Sequence, residues 1–186
     1  RLMSDTGSLP SGKLDFVKDI CKRQGKEFEY AFLLDALEEE QEQGITIDTS
    51  QIFFNTKKRR YVIIDAPGHK EFLKNMVTGA ANAESALLLI DAHEGIQEQS
   101  RRHGYILKLL GLTQVAVVIN KMDLVNYDPK IYNKIKSDYT KFLGSMGIEA
   151  REFIPVSAKL GVNIAQTSDK VPWYKGPSIL QMLDQF

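Results

Sequence analysis

The feature that most constrains the fold is an alternation between short runs of β-branched and aliphatic residues and longer segments with helical periodicity. This alternation is typical of βαβ units, in which helices connect parallel strands. It predicts an α/β fold with a mostly parallel sheet flanked by helices. The predicted strands cover residues 47–55, 61–65, 87–91, 115–120 and 153–156. The predicted helices cover residues 13–24, 32–41, 70–80, 98–110, 129–146 and 178–186.

The composition of the predicted strands indicates their places in the sheet. Four of them are almost entirely apolar, which is typical of strands that helices cover on both faces. Segment 47–55 carries polar residues and is predicted to be an edge strand, joined to segment 61–65 by a turn at 57–60. The length of the chain predicts one domain, residues 1–186.

The charge balance and the cysteine content exclude several functional classes. Lys and Arg together number 24, as do Asp and Glu, so no large net field draws the chain to nucleic acid or to an anionic membrane. Cys21 is the only cysteine, which excludes an internal disulfide. The apolar runs are far shorter than the roughly 18 residues of a membrane helix. These features predict a cytoplasmic protein.

Three predicted strands end in polar residues that the strands themselves do not need. These residues are Asp65, Asp91 and Asn120. Ligands of open α/β sheets bind outside the carboxyl ends of the strands. The sequence therefore predicts the functional site at this edge of the sheet.

The segment VVINKMDL, residues 117–124, carries the strongest single signal. The Asp123 carboxylate can accept two N–H bonds from the edge of a guanine, whereas adenine presents no such pair of donors. Asn120 can join neighbouring loops and reach the base, while the stem of Lys121 covers one face of the ring. The alternative interpretation is a helix cap after a strand.

The segment DAPGH, residues 65–69, follows an earlier strand. Asp65 can hold Mg²⁺ through a water, and the Gly68 amide can reach a terminal phosphate because glycine has no Cβ. His69 is predicted to stand beside the attacking water. For a Pro-Gly-His sequence on its own, the alternative is a solvent-exposed turn histidine.

Two further segments complete the predicted site. In EQEQGITID, residues 40–48, the Thr46 hydroxyl is a candidate ligand of Mg²⁺ and its amide a candidate contact to the γ-phosphate. In VSAK, residues 156–159, the Ala158 amide can bond the guanine carbonyl, with Ser157 shaping the loop. Each segment alone is a weak signal, but four in this order are unlikely to coincide by chance.

Together DAPGH, NKMD and QGITID resemble the GTPase domains of the translation-factor class. Within that class, the chain is most similar to the family of large, GTP-hydrolysing subunits of sulfate adenylyltransferase. The segments that carry this resemblance are LLDALEEEQEQGITID, INKMDLVNYD and VPWYKGPSILQML, and the likeness extends over essentially the whole chain.

The resemblance implies a Ras-like sheet of the P-loop NTPase type, with GTP as substrate and Mg²⁺ as cofactor. It implies Thr46 and Asp65 at the metal, His69 at the water, and the residues of NKMD and SAK at the guanine. It also implies that GTP hydrolysis is coupled to the adenylylation of sulfate by a small catalytic subunit, with an adenylylsulfate kinase fused or associated in some members.

The segment GSLPSGKL, residues 7–14, fits the beginning of the phosphate-loop pattern G-x-x-x-x-G-K-[ST] but is interpreted as a look-alike. Leu14 has no hydroxyl for Mg²⁺, Pro10 removes an N–H donor, and no apolar strand precedes Gly7. The segment is predicted to be a loop between a first helix and helix 13–24. The resemblance places the true loop, and the strand before it, ahead of Arg1.

Such a start has two expected consequences. The strands that end at Asp65 and Asp91 would lack a shared neighbour, so the fragment would close the gap, recruit another strand, or belong to a longer chain. GTP binding by residues 1–186 would be weakened at least about a thousandfold, because several charge-assisted bonds are lost.

Two alternatives remain open from the sequence. One is an elongation factor of the 1-alpha or Tu type, which shares the GTPase but delivers aminoacyl-tRNA. The other is a degenerate interaction module that no longer hydrolyses nucleotide.

Overall fold

The computed structural model describes residues 1–23, 25–26, 28, 30–33, 49–56, 58–68 and 70–186. Its strands are β1 (Ser50–Asn55), β2 (Arg60–Asp65), β3 (Ala86–Asp91), β4 (Val115–Asn120) and β5 (Ala150–Pro155). Its α-helices are α1 (Leu2–Asp5), α2 (Lys13–Arg23), α3 (Leu73–Ala80), α4 (Glu98–Leu109), α5 (Pro129–Ser145) and α6 (Ile179–Leu183). Short 3₁₀ helices lie at Tyr30–Leu33, Lys70–Phe72 and Met122–Val125.

The strands of the described residues form two sheets. β3, β4 and β5 form a parallel sheet with β4 at its centre, and β1 pairs with β2 in an antiparallel hairpin. The hairpin confirms the predicted pairing of segments 47–55 and 61–65. The parallel register aligns Asp91 with Asn120, so these two strand ends lie at the same edge of the sheet.

Two apolar clusters cover the two faces of the parallel sheet. Residues Val115 to Ile119 of β4 are at most 2% exposed, which confirms that this strand is covered on both faces. One face packs against α4 and α5, and its buried residues include Leu107, Tyr139 and Leu143. The other packs against the C-terminal segment through Ile179 and Met182.

The longest described helix, α5, has clear signals at both ends. Pro129 occupies its first turn, where its missing N–H costs nothing, and the Asp128 side chain accepts a hydrogen bond from the Lys130 amide at 2.8 Å. After the helix, Gly147 adopts a left-handed φ of 77°. These signals determine where α5 begins and ends.

β2 and β3 belong to different sheets, as expected for two strands that lack a common neighbour. Val62 and Leu89, large apolar residues of β2 and β3, are 49% and 58% exposed. Within the described residues, therefore, no strand pairing closes the space between them.

Several predicted element bounds were wrong or lie partly outside the described residues. β5 starts at Ala150 rather than at 153, and β1 starts at Ser50. The predicted helix 70–80 begins as a 3₁₀ turn. The predicted helix 32–41 coincides with the described residues only at 32–33, which belong to a 3₁₀ helix.

The segment 7–14 joins α1 to α2, as predicted. Gly7 and Gly12 have left-handed φ angles of 66° and 78°, and α2 begins at Lys13. No strand of the described residues precedes the segment, so it lacks the strand-loop-helix arrangement of a phosphate loop.

The outer edge of β5 is closed by side chains. The Phe153 N–H, which points away from β4, donates to Glu152 Oε1 at 2.8 Å, and the Phe153 carbonyl accepts a bond from the Tyr132 hydroxyl at 2.8 Å. Pro155 has no N–H, and its carbonyl accepts a bond from Asn163 Nδ2 at 2.8 Å. The outward backbone groups of these two residues are thus all satisfied or absent.

The C-terminal residues hold the β1–β2 hairpin. The Tyr61 hydroxyl donates to Asp184, and Lys58 Nζ lies 3.1 Å from Asp184 Oδ2. Arg59 Nη1 donates to the Phe186 carbonyl at 2.9 Å. Burial, followed by the bond to Asp184, raises the pKa of Tyr61 to about 12. These polar contacts attach the hairpin to the C-terminal residues.

We expect Asp184→Ala to destabilise the protein by about 1–2 kcal/mol, because it removes the acceptor of Tyr61 and the partner of Lys58. Urea denaturation measures the change, and hydrogen exchange should show faster opening of β1 and β2. Asp138→Ala, at an exposed position on α5, is the matched control and should stay within about 0.5 kcal/mol. Equal effects of the two substitutions would contradict the attachment.

No helix of the described residues combines the length and the apolar character needed to cross a lipid bilayer.

Candidate functional site

The loops that follow β4 and β5 meet at one edge of the parallel sheet. The Ala158 amide donates to Asn120 Oδ1 at 3.0 Å, and the Met122 amide donates to the Val156 carbonyl at 3.0 Å. These bonds join the NKMD loop to the SAK loop, two segments more than 30 residues apart in sequence. The structure thereby brings together Asn120, Lys121, Asp123, Ser157 and Ala158.

Lys121 is held beside β3 by an ion pair. Its Nζ lies 2.8 Å from Asp91 Oδ2, while Asp91 Oδ1 accepts a bond from the His93 amide at 2.7 Å. Burial alone raises the pKa of Asp91, but the bonds from Lys121, His93 and Glu94 outweigh it and hold the pKa below its usual value. Asp91 is therefore a carboxylate at neutral pH and fixes the direction of the Lys121 side chain.

The NKMD loop has an unusual backbone. Lys121, Asn126 and Tyr127 adopt left-handed φ angles of 60°, 52° and 55°, a conformation that residues other than glycine rarely adopt. The Tyr127 amide donates to the Met122 carbonyl at 2.8 Å, and Met122 is fully buried. Because such strain persists only where surrounding contacts enforce it, and because it clusters at functional sites, the loop is a candidate binding element.

The SAK loop is closed by a short antiparallel bridge. Ser157 pairs with Val162 through two backbone bonds, and its Oγ accepts a bond from the Leu160 amide at 3.3 Å. Ser157 is fully buried, whereas Ala158 is partly exposed. Ser157 therefore shapes the loop, and the exposed part of the loop presents Ala158.

Asn163 supports the SAK loop and was missed by the sequence analysis. It is fully buried, its Nδ2 donates to the Pro155 carbonyl at 2.8 Å, and its Oδ1 accepts a bond from the Ser168 amide at 2.8 Å. Its φ of 55° suits asparagine better than most other residues. The only sequence signal is an asparagine between apolar residues, which is too weak to identify this role.

We expect Asn163→Ala to destabilise the protein by about 3 kcal/mol, because the Pro155 carbonyl and the Ser168 amide lose their partner. Asn163→Gly removes the same bonds but accommodates the left-handed φ, so it should cost less than alanine. Urea denaturation of the wild type and the two variants measures the cost of the lost hydrogen bonds and the added cost of the strained backbone. Wild-type stability of the alanine variant would contradict the supporting role of Asn163.

Asp65 is the last residue of β2, in the antiparallel hairpin, and Gly68 lies in the turn that follows. His103 of α4 links this turn to the parallel sheet, with its Nε2 3.2 Å from the Gly68 carbonyl. Burial lowers the pKa of His103, so the ring is neutral at pH 7 and its Nε2–H can donate to that carbonyl. His103 lies 35 residues from Gly68, so no local sequence signal links the two residues.

The predicted site residues therefore fall into three groups. The residues of the NKMD and SAK loops that are predicted to recognise guanine lie together at one edge of the parallel sheet. Asp65 and Gly68 are placed on the turn that contacts His103. His69 and Thr46 lie outside the described residues, so the structure leaves their predicted roles untested.

Among the described residues, Asp65 is the predicted Mg²⁺ partner whose suitability can be judged. Within the described part of the chain, no group of three His, Cys, Asp or Glu side chains is arranged to hold a metal ion. Of the two predicted ligands, only Asp65 is described, and a carboxylate is a suitable partner for a water bound to Mg²⁺. A single carboxylate fits an ion whose other ligands are waters, a hydroxyl and phosphate oxygens.

Comparison with protein families gives one match over most of the chain. The family described as "Elongation factor Tu GTP binding domain" matches residues 11–186. Elongation factor 1-alpha of Methanosphaerula palustris is 43% identical over all of this chain and 44% of its own length. Sulfate adenylyltransferase subunit 1 of Aliarcobacter butzleri is 44% identical over 99% of this chain and 40% of its own length. The chain thus spans less than half the length of these relatives.

Solved structures show the same likeness. A bacterial selenocysteine-specific elongation factor aligns with 94% of this chain and 27% of its own, at a TM-score of 0.67 and 27% identity. Sup35 complexed with GDP aligns with 95% of this chain and 42% of its own, at a TM-score of 0.61 and 26% identity.

Proposed function

The chain belongs to the family of elongation factor Tu GTP-binding domains, and from this premise we propose that it binds guanine nucleotides and hydrolyses GTP. The predicted fold class, a P-loop NTPase-type domain with a parallel sheet and flanking helices, is confirmed by the family match and the likeness to solved elongation factors. The observation that carries the proposal is the 3.0 Å bond between Asn120 and Ala158, which joins the NKMD and SAK loops.

In the proposed complex, the joined loops recognise the guanine base. The Asp123 carboxylate accepts the two N–H donors of the base, and the Ala158 amide donates to its carbonyl. Lys121, directed by its ion pair with Asp91, covers one face of the ring with its apolar stem. Asn120 holds the two loops in register, and Ser157 shapes the second of them.

The turn after β2 serves the phosphate end of GTP. The Gly68 amide contacts the terminal phosphate, and His69 orients the attacking water. Thr46 and, through a water, Asp65 would hold Mg²⁺, and the ion would supply positive charge to the phosphate oxygens. His103 fixes the Gly68 carbonyl and with it the peptide that leads into His69.

A hydrolysis assay of the full-length protein at millimolar nucleotide tests this proposal. We expect release of phosphate from GTP but not from ATP, and GDP rather than ADP should compete. His69→Ala should lower the rate at saturating GTP while leaving GDP affinity within about twofold, because His69 acts on water and not on the base. Equal use of GTP and ATP, or no binding of GDP at millimolar concentration, would overturn the proposal.

For the whole protein, we propose the GTPase subunit of sulfate adenylyltransferase. The segments INKMDLVNYD and VPWYKGPSILQML support this role, as does the relative from Aliarcobacter butzleri. GTP hydrolysis would then promote the formation of adenylylsulfate and pyrophosphate from ATP and sulfate by a small catalytic subunit. An adenylylsulfate kinase, fused or associated, is a further proposed partner, and the assembly would be cytoplasmic.

The competing role is that of an elongation factor that delivers aminoacyl-tRNA, and it is supported by relatives named elongation factor 1-alpha at 43% identity. Co-purification of the full-length protein separates the two roles. Capture of a subunit that forms adenylylsulfate faster with GTP supports the sulfate role. GTP-dependent binding of aminoacyl-tRNA, without such a subunit, would overturn it.

A further inference from the structure

The Tyr127 hydroxyl is buried and has no partner within hydrogen-bond distance among the described residues. Tyr127 is the second of two consecutive left-handed residues, Asn126 and Tyr127, that follow the NKMD motif beside the proposed base site. Buried polar groups are nearly always paired, so an unpaired one in a well-packed loop calls for a physical reason. The roles assigned above to Asn120, Lys121 and Asp123 do not use this hydroxyl.

The backbone of Tyr127 is fixed at both its amide and its carbonyl. Its amide donates to the Met122 carbonyl at 2.8 Å, and its carbonyl accepts a bond from Trp173 Nε1 at 3.1 Å. Trp173 in turn packs against Tyr132, with ring centroids 4.9 Å apart. The position of the hydroxyl is therefore set by the fold, and the side chain is not a freely rotating surface group.

The neighbours of the hydroxyl belong to the proposed guanine site. Burial raises the pKa of Tyr127, the charge of Asp123 raises it further, and a hydrogen-bonding interaction with the Ser157 side chain, longer than an ordinary hydrogen bond, lowers it. The backbone places Asp123 in the same turn, because the amides of Asn126 and Tyr127 donate to the carbonyls of Asp123 and Met122 at 3.3 and 2.8 Å. A phenol O–H is a donor, and a carboxylate accepts several hydrogen bonds, so Asp123 can bond the base and the phenol together.

We propose that Tyr127 is a positioning residue for guanine recognition, whose hydroxyl donates to the Asp123 carboxylate when that side chain turns to bind the base. The proposal rests on the proposed function, because it assigns Asp123 to the base. The backbone of the loop stays in place, and only the Asp123 side chain rotates. The bond then restricts the carboxylate to the orientation that accepts both N–H groups of the base.

The Tyr127 hydroxyl has a function in the complex that a phenyl ring of the same volume would lack. In the free protein the unpaired hydroxyl opposes folding, since its burial is not compensated by a hydrogen bond. In the complex the same group contributes a charge-assisted bond. Removal of the hydroxyl should therefore move stability and affinity in opposite directions, which a merely structural tyrosine would not do.

Tyr127→Phe tests the proposal in the full-length protein with GDP and IDP as probes. We expect the affinity for GDP to fall about ten- to a hundredfold, as for the loss of one hydrogen bond to a charged group. IDP lacks the amino donor and makes one bond fewer to Asp123, so its affinity should fall less. The Tm of the free protein should stay the same or rise by about 2–4 °C. Tyr105→Phe, at an exposed tyrosine of α4, is the matched control and should change neither quantity.

Three outcomes would overturn the proposal. The first is wild-type affinity of the variant for GDP. The second is an equal loss for GDP and IDP together with a lower Tm, which would identify a structural tyrosine. The third is a wild-type protein that binds neither nucleotide, in which case the proposed function fails first and the positioning role fails with it.

Discussion

Asp123→Asn is expected to lower the affinity for guanine nucleotides by roughly two to four orders of magnitude and to create affinity for xanthine nucleotides. The carboxylate accepts two charge-assisted bonds from guanine in the proposed complex, each worth about 1.5–3 kcal/mol. Xanthine has a carbonyl in place of the amino group, and the asparagine amide can donate to it. The ratio of the dissociation constants for GDP and XDP, measured by competition, reports the change.

The control for this prediction is an aspartate away from the site. Asp169→Asn, at an exposed position after the SAK loop, should leave the GDP to XDP ratio unchanged. A loss of GDP affinity without any gain for XDP would assign Asp123 to loop stability. An unchanged ratio in Asp123→Asn would contradict its contact with the base.

Tyr139→Ala is expected to destabilise the protein by about 3–5 kcal/mol, the largest single effect on stability that we predict. Tyr139 is fully buried in the core between α4 and α5 and stacks on Phe142. Its hydroxyl donates to the Ser100 carbonyl at 2.6 Å, which joins α5 to the first turn of α4. Alanine leaves a cavity the size of an aromatic ring and removes this bond.

Tyr139→Phe separates the two terms, because it keeps the ring and removes only the hydroxyl. We expect a cost of about 1–2 kcal/mol for it. Urea denaturation monitored by circular dichroism gives both values. If phenylalanine cost as much as alanine, the hydrogen bond rather than the ring would dominate. If neither variant lost stability, the assigned packing of α4 on α5 would be wrong.

Much of the fold could be predicted from the sequence, because the strands at the centre of the parallel sheet are continuous apolar runs. β4 was predicted at its observed bounds. β5 was predicted three residues late, because it begins with Ala150, which pairs with Val115, and continues through the charged residues Arg151 and Glu152, where the pairing with β4 is irregular. An apolar criterion detects buried side chains and misses edge residues that contribute only backbone hydrogen bonds. The 3₁₀ start of the helix after DAPGH has no comparable signal in the sequence.

The candidate site could be predicted only for residues that stand out locally. Asn120, Lys121 and Asp123 are polar residues directly after a buried strand, and this contrast is visible in the sequence. Their supports are not visible, because contacts such as Lys121 with Asp91 depend on long-range packing. The role of Asn163 depends on a left-handed φ that only the folded loop reveals.

The closed edge of β5 has a consequence for assembly. Sheets of separate molecules join when unpaired backbone groups of one edge meet those of another. At β5, a strand of a second molecule would have to displace the Glu152 and Tyr132 side chains from the Phe153 backbone, and it would find no N–H at Pro155. Amyloid-like growth from this part of the border is thus opposed by the native side chains.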